Sequence, residues 1–190
     1  MPIPSDPAVI AGTALPPQTL IVPPDAGKTI HAYGDTAQIK LSGEQTNGTI
    51  VVALGTSPAG GGPPPHLHHN EDEIFLVVEG KVRFLANGEW TEPLEPGTIV
   101  YTPRGAVHTF QNVGDTPCRQ WIIATPSGFE LFFAKSAEIF AAAGAGGFPD
   151  MARILAISRE HQIEFVPPLG VGDRPASVEI ADMNMRMGKR

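Results

Sequence analysis

Residues 60–73 decide the fold, and they read Gly-Gly-Gly-Pro-Pro-Pro-His-Leu-His-His-Asn-Glu-Asp-Glu. His66 and His68 are separated by one residue, so on an extended strand both side chains point to one face, about 6–7 Å apart along the chain. Their imidazoles can therefore converge on one ion. Glu73 begins the next strand on the same face as Phe75. Burying a carboxylate alone costs several kcal/mol, so we expect a bound cation as its partner.

Residues 97–112 supply a third imidazole, and they read Gly-Thr-Ile-Val-Tyr-Thr-Pro-Arg-Gly-Ala-Val-His-Thr-Phe-Gln-Asn. Glycine and proline punctuate this segment, which predicts one short strand, a turn, and a second strand that starts at His108. The same-face neighbours of His108 on that strand are Phe110 and Asn112. An isolated His-x-His pair is most often structural or solvated, so the metal interpretation depends on both segments together.

The two segments resemble the paired motifs of the cupin superfamily. In this sequence the first motif is Gly60, five residues, His66, one residue, His68, four residues, Glu73, six residues, Gly80. The second is Gly97, five residues, Pro103, one residue, Gly105, two residues, His108, three residues, Asn112. The resemblance implies a jelly-roll β-barrel with one divalent transition metal inside, held by His66, His68, Glu73 and His108.

Short segments rich in β-branched and aromatic residues extend this interpretation over residues 37–125. Glu79-Gly80 predicts a tight turn, and Asn87-Gly88 predicts a two-residue hairpin. The predicted strands are 38–41, 49–54, 73–78, 81–86, 98–102, 107–113 and 119–125. Short strands at this spacing without intervening helices favour an antiparallel sandwich or barrel, that is, a mainly β fold.

The segments before and after the predicted barrel differ from it in composition and in the spacing of their apolar residues. Residues 1–27 are rich in proline and predict an extended arm, with a disordered leader as the alternative. One apolar stripe at helical spacing consists of Phe129, Phe132, Phe133, Ala137 and Phe140. Residues 150–161 predict a second helix. We therefore expect an arm at 1–27, a barrel at 28–127 and a part at 128–190 with two helices packed on the barrel.

Composition excludes several classes of function. A formal net charge of −7 argues against binding to nucleic acid or to anionic membranes. Cys118 is the one cysteine, so no intrachain disulfide can form. Prolines and Asp6 stand where a signal peptide needs a basic region and an apolar run, and no segment is apolar enough to span a bilayer. We therefore expect a cytoplasmic protein.

The donor set limits the cofactor without choosing it. Three imidazoles and one carboxylate, with no thiolate, suit Fe, Mn, Ni, Co, Cu or Zn. Four protein ligands leave coordination positions open, unlike a closed structural zinc site. Glu73 is either a permanent ligand or a mobile catalytic base. Phe75, Phe84 and Phe110 are candidates for the substrate pocket, with barrel core as the alternative. Glu71 and Asp72 are predicted as turn residues.

The chain after Gly128 is similar in general texture to single-domain cupins of the quercetin-dioxygenase-like kind. That resemblance implies an oxidoreductase, a dioxygenase that acts on a small enolic or flavonol-like substrate. A non-oxidative metal-dependent isomerase, cyclase, lyase or decarboxylase is an alternative, and so is a cupin that binds a small ligand without turnover. The resemblance also implies a homodimer, to which the N-terminal arm is expected to contribute.

Overall fold

The structure is a computed structural model, and it describes residues 18–144 and 147–166. Its strands are β1 Lys28–Ala32, β2 Asp35–Leu41, β3 Val51–Ser57, β4 His66–His68, β5 Asp72–Glu79, β6 Val82–Ala86, β7 Glu89–Trp90, β8 Ile99–Thr102, β9 Thr109–Asn112, β10 Cys118–Thr125 and β11 Ile163–Phe165. Its helices are α1 Phe129–Ala143 and α2 Met151–Glu160.

The strands form the two walls of a jelly-roll barrel. One wall is a six-stranded antiparallel sheet in the order β1-β2-β3-β10-β5-β8. The other wall consists of the sheets β7-β6-β9 and β11-β4. Residue His66 at the start of β4 pairs with His108, just before β9, and this bridge connects the two smaller sheets. After β1, β2 and β3, which share the large sheet, the chain changes wall at each successive strand except between the paired strands β6 and β7, as in a jelly roll.

Alternating burial explains how the sequence fills this barrel. Along β5 the residues Glu73, Phe75 and Val77 are buried, whereas the residues between them are partly exposed. The same alternation places Ile122 and Ala124 of β10 inside. Because successive side chains of a strand point to opposite faces, each strand of the large sheet contributes one apolar row to the interior.

The two helices pack at one end of the barrel. The ring of Tyr33, in the turn after β1, lies 4.9 Å from that of Phe140 and 6.1 Å from that of Phe133, measured between centroids. The Tyr33 hydroxyl is 3.0 Å from Ser136 Oγ in a buried hydrogen bond. Buried Glu130 accepts hydrogen bonds from the backbone amides of Gly43 and Gly128, which attaches the start of α1 to the barrel.

The predicted mainly β jelly roll with two C-terminal helices is confirmed. The strands that the pattern missed are short or polar: Lys28–Ala32, Glu89–Trp90 and Ile163–Phe165. The buried face of α1 also contains Glu130 and Ser136, which an apolar stripe cannot indicate. Of the predicted arm, residues 1–17 lie outside the described residues, as do 167–190. No helix in the described part of the chain is long and apolar enough to cross a membrane.

Candidate metal centre

Three segments of the barrel bring four donor side chains to one point. Strand β4 supplies His66 and His68, β5 supplies Glu73, and the residue before β9 is His108. The backbones of His66 and His108 exchange hydrogen bonds of 3.0 and 2.9 Å, so the two imidazoles lie side by side on paired chains. One ligand atom from each of the four residues lies within 4.8 Å of the other three. The sequence-predicted ligand set is therefore brought together.

Each imidazole has an oxygen beside its Nδ1 atom. His66 Nδ1 is 2.9 Å from the Pro64 carbonyl, and His108 Nδ1 is 3.1 Å from the Ala106 carbonyl. His68 Nδ1 is 3.2 Å from a carboxylate oxygen of Glu71. A neutral ring that donates its Nδ1 hydrogen keeps a lone pair on Nε2. Such outer partners fix the tautomer and orientation of histidines that bind metals.

The inner atoms of the site have no hydrogen-bond partner. Three of its buried atoms lack a hydrogen-bond partner: His68 Nε2, His108 Nε2 and Glu73 Oε2. His108 Nε2 is 2.8 Å from Glu73 Oε2, and His68 Nε2 is 3.4 Å from the same oxygen. Lone pairs directed at a carboxylate in a low-dielectric interior repel one another, and a cation held between these atoms would remove that repulsion. The residues thus fit a divalent metal ion.

The surroundings of His66 and Glu73 hold both side chains in the forms that bind a metal ion at neutral pH. Burial and the nearby rings of His108 and His68 lower the pKa of His66 to about 3, so its imidazole stays neutral and able to coordinate. Burial alone raises the pKa of Glu73, but His68 and His108 outweigh that effect and lower the pKa to about 2. Burial likewise opposes protonation of His68, yet Glu73 and Glu71 raise its pKa. Glu73 is therefore ionised at neutral pH, the form in which a carboxylate binds a metal ion.

A cavity of about 70 Å³ borders the ligands His66, His68 and Glu73. Most of its wall is apolar or aromatic, and the rings come from distant parts of the chain: Tyr33, Phe75, Phe110, Phe129, Phe132, Phe133 and Phe165. The ring of Phe129 in α1 is 5.8 Å from that of His68, and the ring of Phe165 in β11 is 6.3 Å from that of His66. The described residues that line it include no lysine or arginine.

The comparison with family models covers the part of the barrel that holds the site. Residues 53–123 match the model described as "Cupin domain", and this range contains all four ligands. Residues 53–123 form a cupin domain. The two motifs that suggested the superfamily therefore occur in a chain segment that has both the sequence pattern and the barrel of a cupin.

Curated proteins to which this chain is similar include germin-like proteins from plants. Germin-like protein 5-1 of Oryza sativa subsp. japonica is 36% identical over 128 residues, which cover 60% of this chain and 58% of that protein. Germin-like protein subfamily 1 member 4 of Arabidopsis thaliana is 36% identical over 84 residues, or 40% of this chain and 37% of that protein. The chain thus spans about half the length of the curated relatives it matches, or less.

Solved structures support the cupin fold. A predicted oxalate decarboxylase from Thermotoga maritima superposes with a TM-score of 0.52 at 21% identity, covering 56% of this chain and 99% of that one. KdgF from Halomonas sp. gives a TM-score of 0.53 at 16% identity, covering 60% and 99%. At such identities the likeness shows the fold alone. The finer resemblance to quercetin-dioxygenase-like cupins stays a prediction.

Glu71 lies in the turn between β4 and β5, as predicted, but no pattern in the sequence indicates that it belongs to the site. Its side chain is 2% exposed and contacts His68 Nδ1. Gly128, with φ +151°, leaves room for it, because a Cβ there would lie 2.8 Å from Glu71 Oε1. Asp72 belongs to β5 and accepts hydrogen bonds from Arg104. His69 faces the solvent and pairs with Glu164 at 3.0 Å.

The three predicted pocket phenylalanines divide between the cavity and the core. Phe75 and Phe110 line the cavity, whereas Phe84 does not. The ring of Phe84 lies behind them, 5.2 Å from that of Phe75 and 5.8 Å from that of Phe110, and is fully buried. The alternation of side chains along a strand predicts that all three rings point inward, but it does not predict how far each ring lies from the cavity.

Phe84→Ala is expected to destabilise the protein without altering the ligand set. Truncating a fully buried phenylalanine costs about 3–5 kcal/mol, since it removes packing contacts and leaves a cavity. Chemical denaturation of the metal-loaded protein measures this loss. Phe129→Ala, at a partly exposed ring beside His68, is the comparison and should cost less. A Phe84→Ala protein of wild-type stability would show that this ring is not a core residue.

Proposed function

We propose that this cupin is a metal-dependent enzyme that acts on a small, largely apolar substrate with an enolic hydroxyl, as a dioxygenase. One observation carries the proposal: three of the four ligands border an apolar, aromatic cavity inside the barrel. A structural metal site has no need of such a cavity, whereas ligand sites are typically apolar clefts with a few convergent polar groups.

The metal centre and the cavity wall have separate tasks in this proposal. His66, His68, Glu73 and His108 would hold one divalent ion, which when bound would stabilise negative charge that develops on a substrate oxygen. The rings of Phe75, Phe110 and Phe129 hold the apolar body of the substrate by shape and dispersion. These rings also displace water from the region beside the ligands.

The described residues that line the cavity include no lysine or arginine, and this favours one substrate class. A substrate with a phosphate or a second carboxylate would leave that charge buried without a partner, which costs several kcal/mol. A substrate with one acidic hydroxyl meets this condition, because its single charge lies beside the metal ligands. The limited volume of the cavity favours a small enol over a flavonol-sized molecule.

Glu73 is the proton acceptor in this proposal. It lines the cavity and is 2% exposed. Its Oε2 atom faces the imidazoles of His68 and His108, so the carboxylate as a whole stands between the ligand set and the substrate space. Removing a positioned general base typically lowers the rate by about 10²–10⁴-fold. The same residue is therefore assigned two tasks, as a ligand and as a base.

Oxygen consumption tests the proposal. We expect metal-loaded protein to consume oxygen with small enols, and Glu73→Gln to lower the turnover rate by about 10²–10⁴-fold. The metal content of the same variant separates the two tasks: retained metal with lost turnover indicates a base, and lost metal indicates a ligand. The matched control is His69→Gln, an exposed neighbour of the ligands. No oxygen uptake with any small enol or flavonol, under any of the six metals, would contradict the oxidative assignment.

A non-oxidative isomerase, cyclase or decarboxylase is the second candidate. The specific observation in its favour is that Glu73 can move a proton beside a metal ion without any oxygen chemistry. The experiment above distinguishes the two when it is repeated anaerobically. Turnover that persists without oxygen and survives replacement of iron by zinc supports the second candidate and rejects the first.

A further inference from the structure

The cavity beside the metal ligands has a polar end that the proposed function does not use. Its wall there consists of Asp35 and Thr36 at the start of β2 and of Thr56 and Ser57 at the end of β3. We name these four residues the polar end. Among the described residues that line the cavity, Asp35 and Glu73 are the two carboxylates. An acidic group therefore stands in an otherwise mostly apolar wall, at a place that holds no metal ligand.

Aromatic rings connect the metal ligands with the polar end. The ring of Phe165 lies 6.3 Å from that of His66 and 6.3 Å from that of Tyr33, measured between centroids. Tyr33 belongs to the turn that leads into β2, two residues before Asp35. The cavity therefore extends from His66 past Phe165 to the start of β2. A substrate whose enolic oxygen lies at the metal ligands can direct its other end to Asp35.

Small residues leave space beside Asp35. Strand alternation places it on the same face of β2 as the buried Ala37. Ala37 pairs in register with Gly55 of β3, and both residues line the cavity. A Cβ at Gly55 would approach Ile122 Cδ1 to 2.9 Å. Larger residues at these two positions would fill the region next to the carboxylate, so the small ones keep it open.

Asp35 faces the interior of the barrel. Burial raises the pKa of the Cys118 thiol to about 11, and the charge of Asp35 contributes to that rise. Cys118 is itself 1% exposed, so the carboxylate acts on a buried group. The loop before β4 passes on another side, where a Cβ at Gly61 would lie 3.2 Å from Asp35 Oδ1. A carboxylate has about four acceptor positions, so contacts within the protein leave capacity for a ligand.

Two neighbouring hydroxyl groups are directed to other parts of the protein. The Tyr33 hydroxyl is 3.0 Å from Ser136 Oγ in α1, and Thr36 Oγ1 is 3.0 Å from His31 Nδ1 in β1. Hydrogen bonds to an ionised acceptor are also shorter and stronger than those between neutral groups. Asp35 is therefore the group of the polar end best suited to select a substrate.

We propose that Asp35 is a specificity-determining residue that binds a hydrogen-bond donor, a hydroxyl or amino group, at the end of the substrate remote from its enolic oxygen. This inference rests on the proposed function, which places the enolic oxygen at the metal ligands. An apolar group beside Asp35 would remove water from the carboxylate without replacing its hydrogen bonds, which is costly. The substrate class is therefore a small enol with one remote donor, rather than a wholly apolar enol.

Calorimetric titration with matched catechols tests this inference. A catechol is a small enediol whose oxygens suit the metal centre, and zinc-loaded protein kept without oxygen prevents turnover. One set of ligands has an ethyl, hydroxymethyl or aminomethyl group para to a hydroxyl, and a longer set has propyl, hydroxyethyl or aminoethyl. Within a set, only the terminal group differs. We expect a donor ligand of at least one set to bind about 10–100-fold more tightly than its alkyl counterpart, which is the effect of one hydrogen bond to a charged group.

Substitution of Asp35 shows whether this residue causes the preference. Asp35→Asn keeps the shape but loses the charge, so it should lose most of the preference, and Asp35→Ala should lose the remainder. The Kd of the alkyl catechols should stay unchanged in both variants, because these ligands make no hydrogen bond to Asp35. The matched control is Asp115→Asn, at an exposed aspartate in the turn before β10, and it should keep the wild-type preference. Zinc content and unfolding temperature are measured for each protein.

The possible failures of this inference and of the proposed function differ. Alkyl ligands that bind as tightly as both donor ligands in both sets would overturn the role of Asp35 and leave the proposed function standing. A preference that survives Asp35→Ala would also overturn it. Equal weakening of alkyl and donor ligands by Asp35→Asn would show a purely structural role. If zinc-loaded protein binds none of the six catechols, the enol site itself is wrong, and this inference is rejected together with the proposed function.

Discussion

His108→Ala is expected to lower the affinity of the chain for divalent transition metals by more than about 100-fold, because the variant loses a ligand. Loss of an outer-sphere partner alone costs roughly 10–100-fold in affinity. His108 Nε2 lies 2.8 Å from Glu73 Oε2, closer than His68 Nε2 at 3.4 Å. Removing the ring therefore leaves three ligands and an uncompensated buried carboxylate. Elemental analysis after purification, and competition with a chelator of known affinity, measure the loss.

A second readout separates lost binding from lost folding. Metal that binds only the folded chain raises its unfolding temperature, and the rise grows with the logarithm of the ratio of metal concentration to Kd. We expect wild-type protein to show this rise and His108→Ala to lack it, while both remain folded without metal, since the backbone pairing of His66 with residue 108 does not need the ring.

The control for His108→Ala is a histidine outside the cluster. His31→Ala changes an exposed residue of β1 that hydrogen-bonds to Thr36 Oγ1 at 3.0 Å, and it should bind metal as the wild type does. Wild-type metal content and thermal response in His108→Ala would contradict the four-ligand site. Equal losses in His31→Ala and His108→Ala would show that the histidines act through general surface binding.

The ligands could be predicted because two simple rules locate them. Strand periodicity places His66 and His68 on one face, and the inward row that contains Phe75 determines the direction of Glu73. Neither rule depends on tertiary contacts. The same periodicity predicted that Phe84 points inward, but its distance from the cavity depends on the packing of β6 against β9. Strand periodicity thus predicts the face to which a side chain points, whereas its distance from the cavity depends on how the whole barrel packs.

The cavity wall could not be predicted for a related reason. Tyr33, Phe129 and Phe165 come from the turn after β1, from α1 and from β11, and only the assembled fold brings them to the ligands. The apolar stripe of the helix after Gly128 predicts that Phe129 is buried, but it does not predict which part of the chain packs against this ring. β11 has three residues and alternates weakly, so no pattern in the sequence distinguishes it from a loop.

Glu71 is the residue whose substitution should have the second-largest effect on metal binding. It lies in the turn between β4 and β5, where no periodicity fixes the direction of a side chain, and acidic residues in turns are usually solvated. Its burial follows from the position of α1, whose first turn approaches it at Gly128. The burial of Glu71 could be predicted only if the contact with the start of α1 were already known. The spacing of three residues from His68 is the only local hint.

Glu71→Gln is expected to weaken metal binding by about 10–100-fold, because the carboxylate that orients His68 and increases its basicity becomes a neutral amide. The amide oxygen can still accept the hydrogen bond from Nδ1 at 3.2 Å. The loss therefore reports the charge, and Glu71→Ala, which also removes the acceptor, should lose more. Competition with a chelator measures both affinities, and the unfolding temperature of the metal-free proteins shows whether the barrel itself has changed.

Glu164→Gln is the matched control, since Glu164 pairs with the exposed His69 at 3.0 Å, a distance like that between Glu71 and His68. Both glutamates contact a histidine of the same segment, yet one pair is buried and touches a ligand, whereas the other is about half exposed. An exposed pair is worth about 0–1 kcal/mol, so Glu164→Gln should leave metal affinity unchanged. If Glu71→Gln also binds metal as tightly as the wild type, burial of this carboxylate serves only to join the barrel to α1, and the Nδ1 contact has no effect on the ligand.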